Sequence, residues 1–200
     1  MTIARDLMLV ALEATGDSAA EPGDLSLALA GAELLDLLDT GAVALDRDLV
    51  VPGEPPLSDD GLVREAVAEL VRESPYESVD DWLWRRGRGL AARYLAALES
   101  DGQVTRGRRR LLPSRPGATL PTDSPARRQA LDRWAADEPV LAGLGAAVRI
   151  RETPADGLLE RTDEATATVL AAVDDAVTEL TAVRQRRAIE NAAFDNIWRG

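Results

Sequence analysis

The stretch Leu34-Leu-Asp-Leu-Leu-Asp-Thr-Gly-Ala-Val-Ala-Leu-Asp-Arg-Asp-Leu-Val-Val-Pro52 carries the pattern on which the fold turns. Its first part continues an apolar helix that Asp24 caps and that runs through Leu38. Gly41 falls just past the end, where a helix closes by passing into the left-handed region. Ala42-Val-Ala-Leu45 and Asp48-Leu-Val-Val51 then flank Asp46-Arg47; two short alternating runs around a tight polar break predict a β-hairpin, which Pro52 ends. The same order returns 61 residues on, where Leu34, Leu37, Gly41, Val43, Val51 and Pro52 fall on Leu95, Leu98, Gly102, Val104, Leu112 and Pro113. Both blocks read as helix, glycine stop, valine, hairpin, proline. Two copies are too few for a solenoid. The expectation is a mainly α fold, a single helical domain over residues 1–200 with two short β-hairpins in helix-plus-hairpin units.

Helical periodicity dominates the flanking sequence. Ile3, Leu7, Val10 and Ala11 predict a first helix that ends before Gly16, followed by a loop over Thr15 to Gly23. Ser58 caps a helix bearing Leu62, Val63, Ala66, Val67 and Leu70. Ser78-Val-Asp-Asp81 resembles a capping box and starts a short helix with Trp82 and Trp84. Leu90, Tyr94, Ala97 and Leu98 form the stripe of the next helix, and Gln103 to Arg106 with Arg108 to Leu112 flank Gly107 as the second hairpin. Ser124-Pro125 opens a further helix with proline at its first position. A glycine-interrupted helix follows over Val140 to Ala147, and a long one runs from about Thr162 to about Phe194, with the aromatic tail to Trp198 docked on the body.

Composition narrows the chemistry. The 200 residues contain no Cys and no His, and all 23 basic residues are Arg. Thiol, imidazole and lysine chemistry are thereby excluded: no disulfide, no thiolate or histidine metal site, no Schiff base, no P-loop lysine. The missing Lys beside abundant Ala and Leu suits the coding bias of a GC-rich bacterial genome. Catalysis would rest on carboxylates, yet Asp59-Asp60 and Asp174-Asp175 are adjacent pairs whose members point to different sides of a helix, and Asp80-Asp81 belongs to the capping box. A non-enzymatic protein needing no cofactor is expected. The acid at Asp6 interrupts any secretory apolar region, and the uncharged run Pro139 to Val148 is about half a membrane span. A cytoplasmic chain, peripheral at most at the inner face of the membrane, is the expectation.

The net charge of −12 is unevenly spread. Between Arg85 and Arg115 nine arginines face only Glu99 and Asp101, a window of +7 that leaves −19 elsewhere. A guanidinium holds a phosphate through two charge-assisted hydrogen bonds. Arg85, Arg86, Arg88 and Arg93 on the helices and Arg106, Arg108, Arg109 and Arg110 on the hairpin are therefore the candidate anion-binding residues, beside Trp82 and Trp84, at least one of which is expected in the core. Alternatives stand beside this: the arginines pair with neighbouring carboxylates and the chain is a protein-interaction scaffold, or helix and hairpin form a winged-helix-like DNA reader. DNA is disfavoured by the overall acidity and by a recognition helix, Leu90 to Asp101, poor in base-reading side chains. A compact anion such as a phosphorylated lipid headgroup asks only for a local patch.

The opening Asp6-Leu-Met-Leu-Val-Ala-Leu12, the block Leu29-Ala-Gly-Ala-Glu-Leu-Leu35 leading to Gly41-Ala-Val-Ala-Leu45, the helix ending at Gly102-Gln-Val104 and Leu120-Pro-Thr-Asp123 resemble, in order and spacing, the Golgi phosphoprotein 3 family, whose bacterial relatives are of about this size. The resemblance covers most of the chain. It implies a mostly helical peripheral membrane adaptor that binds phosphatidylinositol 4-phosphate and the cytosolic tails of membrane proteins, with a hairpin in membrane contact or self-assembly; a homo-oligomer is compatible with it. The family's lipid-contacting Trp falls at Glu21-Pro22, where this chain has no aromatic. Its first headgroup Arg falls on Ala30. Its later Arg pair falls on Arg88 and Ala91, with Arg86 or Arg93 brought in by a small shift.

Overall fold

The computed structural model describes residues 2–14, 19–106, 119–151 and 162–198, of which residue 106, residues 119–120 and residues 193–198 are described for their backbone only. Within these, eight helices and two two-stranded antiparallel sheets make a mainly α fold. Helix α2 (Pro22–Asp39) is its axis, buried without a break from Asp24 to Leu35. A helix apolar all round has no solvent face and must be enclosed. Around it pack α1 (Ile3–Glu13), α4 (Val79–Arg86), α5 (Leu90–Ser100) and α8 (Glu164–Trp198). Helix α3 (Gly61–Ala68) lies outermost and buries only Leu62 and Ala66. On the other side α6 (Pro125–Ala135) and α7 (Pro139–Ala147) pack on α1.

The helix boundaries follow local chemistry. Ser78 Oγ accepts from Asp81 N–H at 3.0 Å, which caps α4, and donates to Asp81 Oδ2 at 2.8 Å, so the shorter Asp in the Glu position meets the Ser78 hydroxyl rather than the backbone N–H of a full capping box. Ser124 caps α6, with Pro125 at its first position. The cap of α2 falls on Glu21, three residues before the expected Asp24, because Pro22 takes the first helical position, and Asp24 instead accepts from Arg184 Nη1 at 2.7 Å. The cap expected of Ser58 belongs to Asp60, whose carboxylate accepts from Leu62 N–H at 2.9 Å, while Ser58 Oγ accepts from Asp60 N–H. Helix α8 runs unbroken over 35 residues. The expected docking of the Phe194 to Trp198 side chains lies outside the described residues.

The internal repeat is real in its closures. Gly41 (φ +71°) and Gly102 (φ +68°) each take the left-handed conformation, Gly41 N–H reaching Leu38 and Ala42 N–H reaching Leu37 just as Gly102 N–H reaches Glu99 and Gln103 N–H reaches Leu98. Strand β1 (Val43–Asp46) pairs with β2 (Leu49–Pro52), Val43 opposite Pro52, around an Arg47-Asp48 turn, one residue later than expected. The second hairpin departs from its expectation. Strand β3 (Val104–Arg106) pairs with β4 (Thr119–Pro121), not with Arg108 to Leu112. Gly107 alone is too short to reverse a strand, and that register would have set Arg106 against Arg108, whereas the observed one sets Arg106 against Thr119. The repeat's closing proline is therefore Pro121, eight positions after Pro113.

Candidate anion-binding site

Arginines 85, 86 and 93 do converge, on carboxylates of the chain itself. Arg86 stands on α4 with 0% of its surface exposed. Its Nε and Nη2 grip Glu33 of α2 at 2.7 and 3.0 Å, and its Nη1 donates to Glu65 and Glu69 at 2.9 Å each. Tyr94 O–H donates to the same Glu33 at 3.1 Å. Arg93 pairs with Glu65 and donates to the Arg86 carbonyl at 3.0 Å. Arg85 forks onto Glu77 at 2.7 Å, reaches Glu69 at 3.3 Å and lies over the Trp82 ring at 5.3 Å. Burial pushes the Glu33 carboxyl above its ordinary pKa against the pull of Arg86. For Arg86 burial opposes the charge, yet Glu33, Glu65 and Glu69 together hold its pKa above the usual guanidinium value. The network locks the outer α3 segment and α4 onto α2, and leaves Arg86 no donor turned to solvent.

Arg88 differs. It lies in the turn between α4 and α5, exposed, with no ion pair to a described residue. It borders an open cavity of about 340 Å³ whose walls are Pro22, Gly23 and Leu27 of α2, Trp84 of α4, Gly89, Ala91 and Ala92 at the start of α5, and Leu180 of α8. Two helices begin on this cavity: Glu21 makes no side-chain capping bond to α2, and Gly89, at φ +67°, has no side chain to cap α5, whose Ala91 N–H is taken instead by Ser26. Both helix N-termini turn the partial positive charge of their dipoles toward this space, although Pro22 has no N–H and the N–H groups of Leu90 and Ala91 are bonded within the protein. Buried Ser26 ties the two helix starts together, its Oγ donating to the Pro22 carbonyl at 2.7 Å and accepting from Ala91 N–H at 3.1 Å, which spends its hydroxyl proton inside the protein. Gly87 allows the close approach, because a Cβ there would stand 3.3 Å from both Leu27 Cδ2 and the Ser26 carbonyl.

The two tryptophans of α4 have separate tasks. Trp82 is wholly buried and donates Nε1–H to the Ala30 carbonyl at 3.0 Å, a core residue. Trp84 donates to Asp80 at 3.1 Å one turn back and gives the cavity its aromatic wall. Arg106 is described for its backbone only, and Arg108, Arg109 and Arg110 lie outside the described residues. Of the acids weighed for catalysis, Asp60 caps α3 and pairs with Arg5 at 2.6 Å, Asp80 and Asp81 serve α4, and Asp174 and Asp175 are exposed. No cluster of acids able to hold a metal exists among the described residues.

A family model for Golgi phosphoprotein 3 (GPP34) matches residues 3–192. The chain belongs to the Golgi phosphoprotein 3 family. No curated protein sequence matches it. The Golgi phosphoprotein 3 match takes in every element that lines the Arg88 cavity and ends within α8. None of the described helices is long and apolar enough to cross a membrane. The sequence offers Arg88 and Trp84 among its candidates and, through the resemblance, Glu21-Pro22 and Ala91, but not the Gly89 end of α5 or Leu180. The Gly87-Arg88-Gly89 triplet was the available signal, an arginine between two glycines at the junction of two predicted helices.

Proposed function

We propose that the protein is a non-enzymatic peripheral membrane adaptor that takes an anionic, phosphoinositide-type lipid headgroup in the Arg88 cavity. The observation that carries this is the meeting of one exposed guanidinium, paired with no described residue, with the N-termini of α2 and α5 beside apolar walls. A phosphorylated headgroup satisfies the donors while its glycerol end meets Trp84 and Leu27. The family resemblance supports the location in part: of its lipid-contacting positions, those falling at Glu21-Pro22, Arg88 and Ala91 bring Pro22, Arg88 and Ala91 to the lining of this cavity, while Ala30 is buried away from it. Trp84 supplies from α4 the aromatic that Glu21-Pro22 lacks. In this reading Arg86 and Arg93 build the scaffold, and Arg106, Arg108, Arg109 and Arg110 add electrostatic attraction to the bilayer. Flotation with vesicles containing a phosphatidylinositol phosphate tests it. Arg88→Glu is expected to lower binding at least tenfold, and replacing Arg108, Arg109 and Arg110 to weaken it in a salt-sensitive way. Binding untouched by Arg88→Glu refutes the assignment.

A scaffold role through the cytosolic tails of membrane proteins is the second reading. It draws on another cavity of about 390 Å³, where Leu35, Leu38 and Val43 lie beside Asp39 and Asp163. Pull-downs dominated by one protein partner, with no lipid dependence, would favour it. The winged-helix alternative gains nothing from α5, whose exposed positions are Ala92, Ala96 and Ser100; base edges ask for Arg, Asn or Gln there.

A further inference from the structure

Helix α8 outruns the body it packs on. Val169, Val173 and Val177 are buried, Leu180 reaches the Arg88 cavity, and from Gln185 to Ala192 every residue is exposed. Those eight residues extend the helix by roughly 12 Å at 1.5 Å each. The extension leaves the body at the cavity's edge: a Cβ on Gly23, a cavity residue, would stand 2.5 Å from Arg184 Nη2. Along α8, Leu180, Arg184 and Arg187 follow the i, i+4, i+7 spacing of one helix face, so the stripe that is apolar against the body turns cationic where the body ends. Arg184 is 37% exposed and shares Asp24; Arg186 and Arg187 are exposed and pair with no described residue. Against these three arginines the exposed turns hold one acid, Glu190, in a molecule of net charge −12.

We infer that the end of α8 is a cationic arm that lies on the anionic bilayer whose headgroup the Arg88 cavity takes. The inference rests on the headgroup reading of that cavity and adds a second membrane contact to it. Residues 186 and 187 are about 100° apart around a helix, so their long side chains flank one half of it and can both reach a plane of charge on that side. Ala, Arg, Gln and Glu are strong helix formers, which keeps the arm helical without packing and removes an ordering cost on docking. One weak contact gives reversible membrane binding, and stable attachment takes two signals. The cavity supplies a specific one and the arm a diffuse one.

Arg186→Ala/Arg187→Ala tests the arm without touching the cavity. The probes are vesicles of phosphatidylcholine with phosphatidylserine and a phosphatidylinositol phosphate, and separately a soluble inositol phosphate by calorimetry. At roughly 1 kcal/mol per basic residue near an anionic surface, the double variant is expected to lose about 30-fold in vesicle partitioning, less at high salt. Binding of the soluble inositol phosphate and the helical circular dichroism should match the parent. Vesicle binding within threefold of the parent overturns the arm, and if Arg88→Glu still abolishes both vesicle and inositol phosphate binding, the cavity reading stands without it. Inositol phosphate binding unchanged by Arg88→Glu overturns the cavity reading, and with it the shared docking. A concentration-dependent dimer in sedimentation that the double variant abolishes overturns the arm in favour of a second copy of the chain.

Discussion

Replacing Arg86 by Met asks whether the buried guanidinium belongs to the fold. Met nearly matches the stem of the side chain and removes the cation, leaving Glu33, itself 2% exposed, without the fork that holds it at 2.7 and 3.0 Å. Removing one partner of a buried pair costs roughly 3–5 kcal/mol, because the other charge stays out of water uncompensated. Glu65 and Glu69 lose less, being partly exposed and still beside Arg93 and Arg85. With a urea slope of about 2.5 kcal/mol per molar, the unfolding midpoint should fall by roughly 1–2 M. The cost depends on pH with a definite sign. A carboxyl whose folded pKa lies above its unfolded value favours the folded state at low pH and penalises it as pH rises through the folded value. Burial already places Glu33 on that side with Arg86 present, and its loss raises the folded value further. The penalty should therefore be larger at pH 8 than at pH 5, and adding Glu33→Gln should recover part of it. A loss under about 1 kcal/mol with no pH dependence would refute the view that Arg86 is a structural cation, and would return it to the pool of ligand-binding residues.

Two other perturbations read the same core. Asp36 accepts from the N–H groups of Ile3 and Ala4 at 2.8 and 3.2 Å, and burial, with the fields of Asp6 and Glu33 adding to it, pushes its carboxyl up to about 7 against those hydrogen bonds. Stability should consequently fall as pH rises between about 4 and about 7, and Asp36→Asn should flatten that slope in urea unfolding at a series of pH values. Gly31 of α2 faces α8 so closely that a Cβ would meet Val173 Cγ2 at 2.4 Å. Gly31→Ala should cost roughly 1–3 kcal/mol by overpacking despite the better helix propensity of Ala, and Val173→Ala should rescue it in a double-variant thermal melt.

What the sequence makes legible here is short-range. Ser78, Ser124, Gly41 and Gly102 declare the ends of their helices because the groups they satisfy lie within four residues. The repeat was visible for the same reason. The partner of β3 was not: nothing local to Arg106 announces Thr119, and a nearby glycine imitates a turn. The Arg window was misleading in a similar way. Counted along the chain, Arg85 to Arg115 looks unopposed, but the acids that oppose Arg86 are Glu33, Glu65 and Glu69, between 17 and 53 residues away. Charge density in sequence cannot separate an open receptor from a closed network, since both need the same residues and differ only in what packs over them.

The composition explains why the closed network is so rich in arginine. Without Lys or His, every cation available to the interior is a planar fork with five donors. Arg86 uses that capacity to join α2, α3 and the segment after it through a single side chain, a task an ammonium with three donors and no fork performs less well. An arginine cluster in such a chain first reports where helices must be tied together. The cations left for an outside anion are those that the ties do not reach, and Arg88, Arg186 and Arg187 are of that kind. Arg88 borders a cavity onto which α2 and α5 open their N-termini, and the turns of α8 that carry Arg186 and Arg187 leave the body at its rim. The dipoles of both helix starts then act beside an exposed guanidinium within a screening length of roughly 8 Å, and the one acid in the first turn of α2, Asp24, is already paired with Arg184.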